Sequence, residues 1–144
     1  MATDRTANVV WQGDLLNGSG TIAQVPSGAF GPLDVSWASR AEEPNGKTSP
    51  EELIAAAWAS CFAMALSNGL AKAGNPPEQL ETSATVTFQP GEGIIRGALT
   101  VRGTVPGLDE AGFREAAEDA KKNCPVSKAL SGIPDVSLDA TLAS

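Results

Sequence analysis

Hydrophobic and polar positions divide this chain into short alternating runs and two helical stretches. Three strand-like runs come first, around 8–13, 20–25 and 33–37, separated by turns rich in Gly, Asn, Ser and Pro. A polar loop from Arg40 to Thr48 then leads to the clearest helix start in the sequence. Ser49-Pro50-Glu51-Glu52 offers a capping serine, a proline at the first helical position and acid beside the positive dipole end. The helix extends to about Ala73, where Gly74-Asn75-Pro76-Pro77 stops it. From Leu53 to Leu66 every residue except Ser60 is apolar, so this helix is expected to be buried on all sides.

Beyond the break, 82–89 alternates and 94–105 reads as its hairpin partner across Pro90-Gly91-Glu92-Gly93. Residues 109–123 form an amphipathic helix with Phe113, Ala116, Ala117 and Ala120 on one face. Its other face carries Asp109, Glu110, Glu115, Glu118 and Asp119, read as a solvated surface. Pro125 forces a restart, giving a short helix at 126–130, and 136–142 is a last strand. Strands in blocks predict an α+β domain in which an antiparallel sheet covers the long helix. A helix apolar all round needs covers on two sides, and one sheet supplies one. A second subunit is the favoured second cover. Trp37, Trp58, Phe30, Phe62 and Met64 read as core.

Composition narrows the chemistry. The 144 residues fit one domain, and there is no histidine. Ser-His-Asp triads, Cys-His dyads and His-ligated zinc are therefore excluded. Two cysteines are too few for an all-cysteine metal site, and no metal is expected. A formal charge of −7 argues against nucleic-acid and membrane-surface partners. The N-terminus shows no apolar signal core, and the 53–66 run is too short to span a bilayer. A cytoplasmic protein is the expectation, and there two cysteines 63 residues apart are more often thiols than a staple.

Cys61 lies within the apolar helix, where a cysteine is more often a small core residue than a nucleophile. Cys124, in Asn123-Cys124-Pro125, sits at a helix N-terminus, where a thiol pKa falls. Arg40 reads first as a loop cation and Glu51 as a first-turn acid. Ten helical residues rise ~15 Å, so Glu51 cannot touch Cys61 directly. If both serve one site, another segment bridges them or a partner chain supplies Glu51.

Together these residues form a pattern. The run Thr48-Ser-Pro-Glu-Glu-Leu-Ile-Ala-Ala-Ala-Trp-Ala-Ser-Cys-Phe-Ala-Met-Ala-Leu66, followed by Asn123-Cys-Pro-Val-Ser-Lys-Ala-Leu130, resembles the OsmC/Ohr family of thiol-dependent hydroperoxide reductases. Trp11-Gln-Gly-Asp14, Gly18-Ser-Gly-Thr21, Ser39-Arg40 and Pro106-Gly107-Leu108-Asp109 add to the likeness, which covers essentially the whole chain. Ser39-Arg40 before the helix points to the OsmC branch, since the Ohr branch takes its arginine from nearer the N-terminus. Trp58 stands where many relatives carry histidine, and Ala41 where an aromatic is common.

The resemblance implies an intertwined α+β homodimer with two interfacial active sites and no cofactor. It implies that Cys61 is the peroxidatic thiolate and Cys124 the resolving thiol. Arg40 would stabilise the thiolate and bind peroxide. Glu51 would orient Arg40, joining from the other subunit's helix. Phe62, Trp58, Met64 and Trp37 would form an apolar substrate wall favouring organic hydroperoxides. An external dithiol or lipoyl-type protein would reduce the Cys61–Cys124 disulfide. The alternative is a non-peroxidatic protein of the same fold, binding a small ligand or sensing redox state.

Overall fold

A computed structural model describes residues 1–143. The chain divides into two compact units, Met1–Leu53 and Ile54–Ser144.

The first unit holds an antiparallel sheet of β1 (Val9–Gln12), β2 (Ser19–Ile22) and β3 (Leu33–Val35), with β2 in the centre. The Trp11-Gln-Gly-Asp14 motif ends β1 and leads into the first turn. Trp11 Nε1 donates to the Gly13 carbonyl, and its ring lies so close to Gly20 that a Cβ there would come within 2.7 Å of it. The predicted third strand is shorter than expected, because Trp37 opens a helical turn, α1 (Trp37–Ala41), and not a strand end. Arg40 is thus in the last turn of a helix rather than on a loop. Strands of three and four residues bury little, and Val9, Val10, Leu16 and Phe30 stay exposed. Phe30, expected in the core, is 44% accessible.

The helix α2 (Pro50–Lys72) begins as its sequence predicts. Ser49 Oγ accepts the Glu52 backbone N–H at 3.2 Å, and the Glu52 carboxylate accepts the Thr48 hydroxyl at 2.7 Å. Its burial differs from expectation. Trp58, Phe62, Leu66 and Leu70, four residues apart, form one fully buried stripe, while Met64 on another face is 72% accessible. At 23 residues and mean hydropathy 1.5, α2 is longer than its apolar run and meets the length and composition of a membrane span. Its buried stripe nevertheless belongs to a side-chain core shared with a sheet and a second helix.

That sheet contains β4 (Gln79–Gln89), β5 (Gly93–Thr104) and β6 (Asp135–Leu142), in the order 4-5-6. β4 and β5 form the expected hairpin. β5 and β6 pair in parallel, however, so the sheet is mixed and not antiparallel. The cause is the connection: α3 (Glu110–Asn123) and α4 (Pro125–Ala129) intervene and carry the chain back to re-enter in the same direction.

Two glycines on the inner face of β5 seat the helices. A Cβ on Gly97 would meet the Trp58 ring at 2.5 Å, and one on Gly103 would meet Phe113 at 2.6 Å. Each aromatic side chain lies against strand backbone. Trp58 thereby fixes α2 one turn before Cys61, and Phe113 fixes α3, which ends at Cys124. The acidic face of α3 is exposed, and Asp109 caps its N-terminus through the Gly112 N–H.

Candidate active site

The second unit brings the two cysteines together. Cys61 is on α2, and Cys124 is both the last cap of α3 and the first of α4. Their Sγ atoms share a hydrogen bond at 2.9 Å, with both thiols free. A disulfide requires about 2.05 Å, so closure asks for less than about 1 Å of further approach. Accessibility separates them: Cys61 is half-buried, whereas Cys124 is completely covered. Of the two sulfur-bearing residues, Cys61 is the one open to solvent.

The electrostatics of the pair are asymmetric. Burial pushes the Cys61 thiol up, the hydrogen bond with Cys124 adds to this, and the Val126 backbone N–H offsets only part of it. Burial also pushes Cys124 up, but there the opposing groups win. The hydrogen bond with Cys61, the Ser127 N–H and hydroxyl, and the Val126 N–H together hold Cys124 below the ordinary thiol range. The helix-start position of Cys124 in the sequence points to its lowered pKa; the role of Ser127, three residues on, is not evident from it.

The first unit builds the other half of the predicted constellation. Ser36 and Ser39 cap α1 reciprocally, and the Ser39 hydroxyl also reaches the Thr48 carbonyl at 3.0 Å. Thr48 N–H donates to the Asp34 carbonyl at 3.1 Å, so the segment entering α2 is tied back to β3. These ties close the 41–47 loop and bring Arg40 onto Glu51. Arg40 Nε donates to both carboxylate oxygens at 3.1 and 3.2 Å, and Nη2 donates to Oε2 at 2.9 Å. Glu51 is 6% accessible, and the Arg40 side chain about a third. The capping work expected of a first-turn acid falls to Glu52, which leaves Glu51 to the guanidinium. The expectation that Glu51 joins Arg40 from another subunit is corrected: both come from one chain, because the loop between them folds back.

The four apolar candidates separate. Trp58 and Phe62 are core residues, at 1% and 0% accessibility, and Trp58 Nε1 donates to Ser127 Oγ at 2.8 Å. Trp37 is half-buried in the first unit. Met64 lines an open groove with Ala63, Ser67 and Leu80, and that groove is lined by neither cysteine.

Comparison with known proteins identifies the family. The family model described as OsmC-like protein matches residues 43–139. The chain is 37% identical to Peroxiredoxin OsmC of Escherichia coli (strain K12) over 147 aligned residues, covering all of both chains. It is 32% identical to the organic hydroperoxide resistance protein OhrB of Bacillus subtilis (strain 168), covering 74% of this chain and 79% of that one. An organic hydroperoxide resistance protein OsmC from Legionella pneumophila superposes with a TM-score of 0.69 at 25% identity, covering 94% of this chain and 96% of the other. With a family model spanning both cysteines and a relative matched end to end, the chain belongs to the OsmC family.

Proposed function

We propose that this protein is a thiol-dependent peroxidase that reduces organic hydroperoxides to alcohols. The observation that carries the reading is the sulfur pair: an accessible Cys61 with a sealed Cys124 2.9 Å away. The names of the Escherichia coli and Bacillus subtilis relatives support the substrate class.

In the first step the Cys61 thiolate attacks the terminal oxygen of ROOH. The O–O bond breaks, RO⁻ leaves and takes up a proton as ROH, and Cys61 becomes a sulfenic acid. Cys124 thiolate then attacks the Cys61 sulfur; the S–S bond forms and hydroxide leaves as water. An external dithiol returns both thiols by exchange and is itself oxidised to a disulfide. Because burial pushes the Cys61 thiol up, the first step needs a cation at that sulfur. Arg40 is assigned that role, held in position by Glu51. Guanidinium stays charged at any working pH, so no histidine is required. The same charge stabilises the departing alkoxide. Met64 and Trp37 are assigned to the substrate wall, with Trp58 and Phe62 shaping it from within the core.

The working form is proposed to be a cytoplasmic homodimer. Apart from its one buried stripe, α2 leaves Met64 and other apolar faces uncovered, and the first unit exposes Val9, Val10, Trp11 and Phe30. Sedimentation equilibrium is expected to give twice the chain's mass; a monomer at micromolar concentration contradicts this.

The test of function is consumption of cumene or t-butyl hydroperoxide with dithiothreitol as reductant. Catalytic turnover is expected, and stoichiometric oxidant alone is expected to yield a Cys61–Cys124 disulfide by mass spectrometry. Two free thiols after oxidant, with no peroxide loss, would instead favour the ligand-binding alternative.

A further inference from the structure

Among the described residues, two side-chain hydrogen bonds cross from α2 to the segment that opens α4. One joins the sulfurs of Cys61 and Cys124 at 2.9 Å, and the other runs from the Trp58 indole N–H to Ser127 Oγ at 2.8 Å. Trp58 precedes Cys61 by three residues and Ser127 follows Cys124 by three, so the two bonds stand one helical turn apart, about 4.5 Å along α2. Trp58 is buried, and its ring fills the space over Gly97, where a Cβ would come within 2.5 Å of it. The indole is thus seated on β5 on one side and offers its N–H to α4 on the other. A single contact between two elements is a pivot. Two contacts a turn apart fix their angle as well as their distance.

We infer that Trp58 and Ser127 are positioning residues: their hydrogen bond holds the Cys124 sulfur in bonding range of Cys61 and so sets how readily the disulfide forms. The inference rests on the peroxidase reading, whose second step closes this disulfide. From the ordered pair, closure asks for less than about 1 Å of further approach. Without the Trp58–Ser127 tie, α4 turns about its remaining contacts and the sulfurs sample longer separations. The effective concentration of one thiol at the other then falls. The S–S bond, once made, confines the two elements by itself. The freedom gained on losing the tie therefore belongs to the reduced pair and favours it over the disulfide. Trp58 is the fixed member of the tie, because its ring is seated on Gly97, and Ser127 is the member that α4 carries to it.

The test equilibrates wild type, Ser127→Ala, Ser127→Thr and Trp58→Phe with mixtures of reduced and oxidised glutathione at neutral pH. The Cys61–Cys124 disulfide is read by alkylation and mass spectrometry. Each oxidised glutathione consumed takes up the two thiol hydrogens and leaves as two reduced molecules, so the equilibrium constant measures the effective concentration of the pair. It is expected to fall about fivefold in Ser127→Ala, the worth of one hydrogen bond, and to stay near wild type in Ser127→Thr, which keeps the hydroxyl. Trp58→Phe keeps an aromatic ring and removes the N–H, and its constant should fall at least as far. The double variant should fall no further than Trp58→Phe, since both changes break one tie.

The sign of the shift decides. If Ser127 served only to stabilise a Cys124 thiolate, its removal would weaken the reduced pair and raise the constant. A constant that rises or stays unchanged in Ser127→Ala overturns the tie, as does a fall that Ser127→Thr shares. Both outcomes are read without Trp58→Phe, so a Trp58 variant that does not fold leaves the test intact. No peroxide enters this measurement. One equivalent of cumene hydroperoxide added to reduced wild type tests the peroxidase reading separately. If no disulfide forms there while the glutathione constant falls as expected in Ser127→Ala, the peroxidase reading fails and the tie stands.

Discussion

Cys61→Ser should abolish hydroperoxide reduction, with turnover falling by roughly a thousandfold or more, to the rate of dithiothreitol alone. Serine fits the half-buried site on α2 with little change in volume, so the fold is retained. Its hydroxyl is not ionised near neutrality and is no acceptor for peroxide oxygen. Cys124→Ser should behave differently. The peroxide oxygen is still taken by Cys61, so one equivalent of hydroperoxide is consumed in a single turnover and a sulfenic acid accumulates. Multiple turnovers then depend on how well the external thiol reaches a sulfur that is only half-buried. Stopped-flow consumption in the absence of reductant separates the two: no consumption in Cys61→Ser, one equivalent in Cys124→Ser. The reverse pattern would follow if the lower thiol pKa of Cys124 decided which sulfur reacts, and it would overturn the assignment. The structure sets accessibility against acidity here, because Cys124 is the more acidic thiol and the fully covered one. Access is expected to prevail, since a thiolate that no peroxide reaches cannot attack it.

Much of this site is legible in the chain itself. The stops and starts of α2, α3 and α4 follow from Ser49-Pro50, Asp109 and Pro125, local signals whose physics needs no tertiary partner. The inward face of β5 is less obvious, because Gly97 and Gly103 look like weak strand residues until Trp58 and Phe113 are seen to occupy the space they leave. The parallel pairing of β6 is not written in its alternation, which fits either direction; the helical connection between β5 and β6 decides it. The apolar periphery of α2 is a related case. An apolar sequence shows that a face tolerates burial, while what covers it depends on everything else that folds nearby. Arg40 and Glu51 are visible as a charge pair eleven residues apart. Their meeting within one chain depends on backbone ties from Ser39 and Thr48, which composition does not reveal. Ser127 stands inside the Cys124 motif, but a serine on a short helix gives no sign of which atom its hydroxyl faces.

Arg40→Met should lower kcat/KM for hydroperoxide at pH 7 by about two to three orders of magnitude and move the rising limb of the pH profile upward. The sign follows from the thiol pair. Burial and the contact with Cys124 already push Cys61 up, and the reactive thiolate predominates only above its pKa. A guanidinium favours the charged form and brings that pKa down; its removal leaves the limb at higher pH. At a fixed pH below the limb, thiolate falls about tenfold for every pH unit the limb moves up. Loss of alkoxide stabilisation adds a further drop that raising the pH does not recover. Arg40→Lys keeps the charge but not the fork that grips both Glu51 oxygens, so its profile should stay near wild type in position while its plateau falls. Arg40→Met alone also strands the Glu51 carboxylate, which is almost wholly buried. The double variant Arg40→Met/Glu51→Gln removes that strain, and its thermal unfolding, followed by circular dichroism, separates a folding defect from a chemical one. A double variant as stable as wild type but with the low profile displaced to higher pH supports the cation at Cys61. If it is stable and its profile is unchanged, Arg40 and Glu51 serve only to close the loop before α2, and another group must lower the Cys61 pKa.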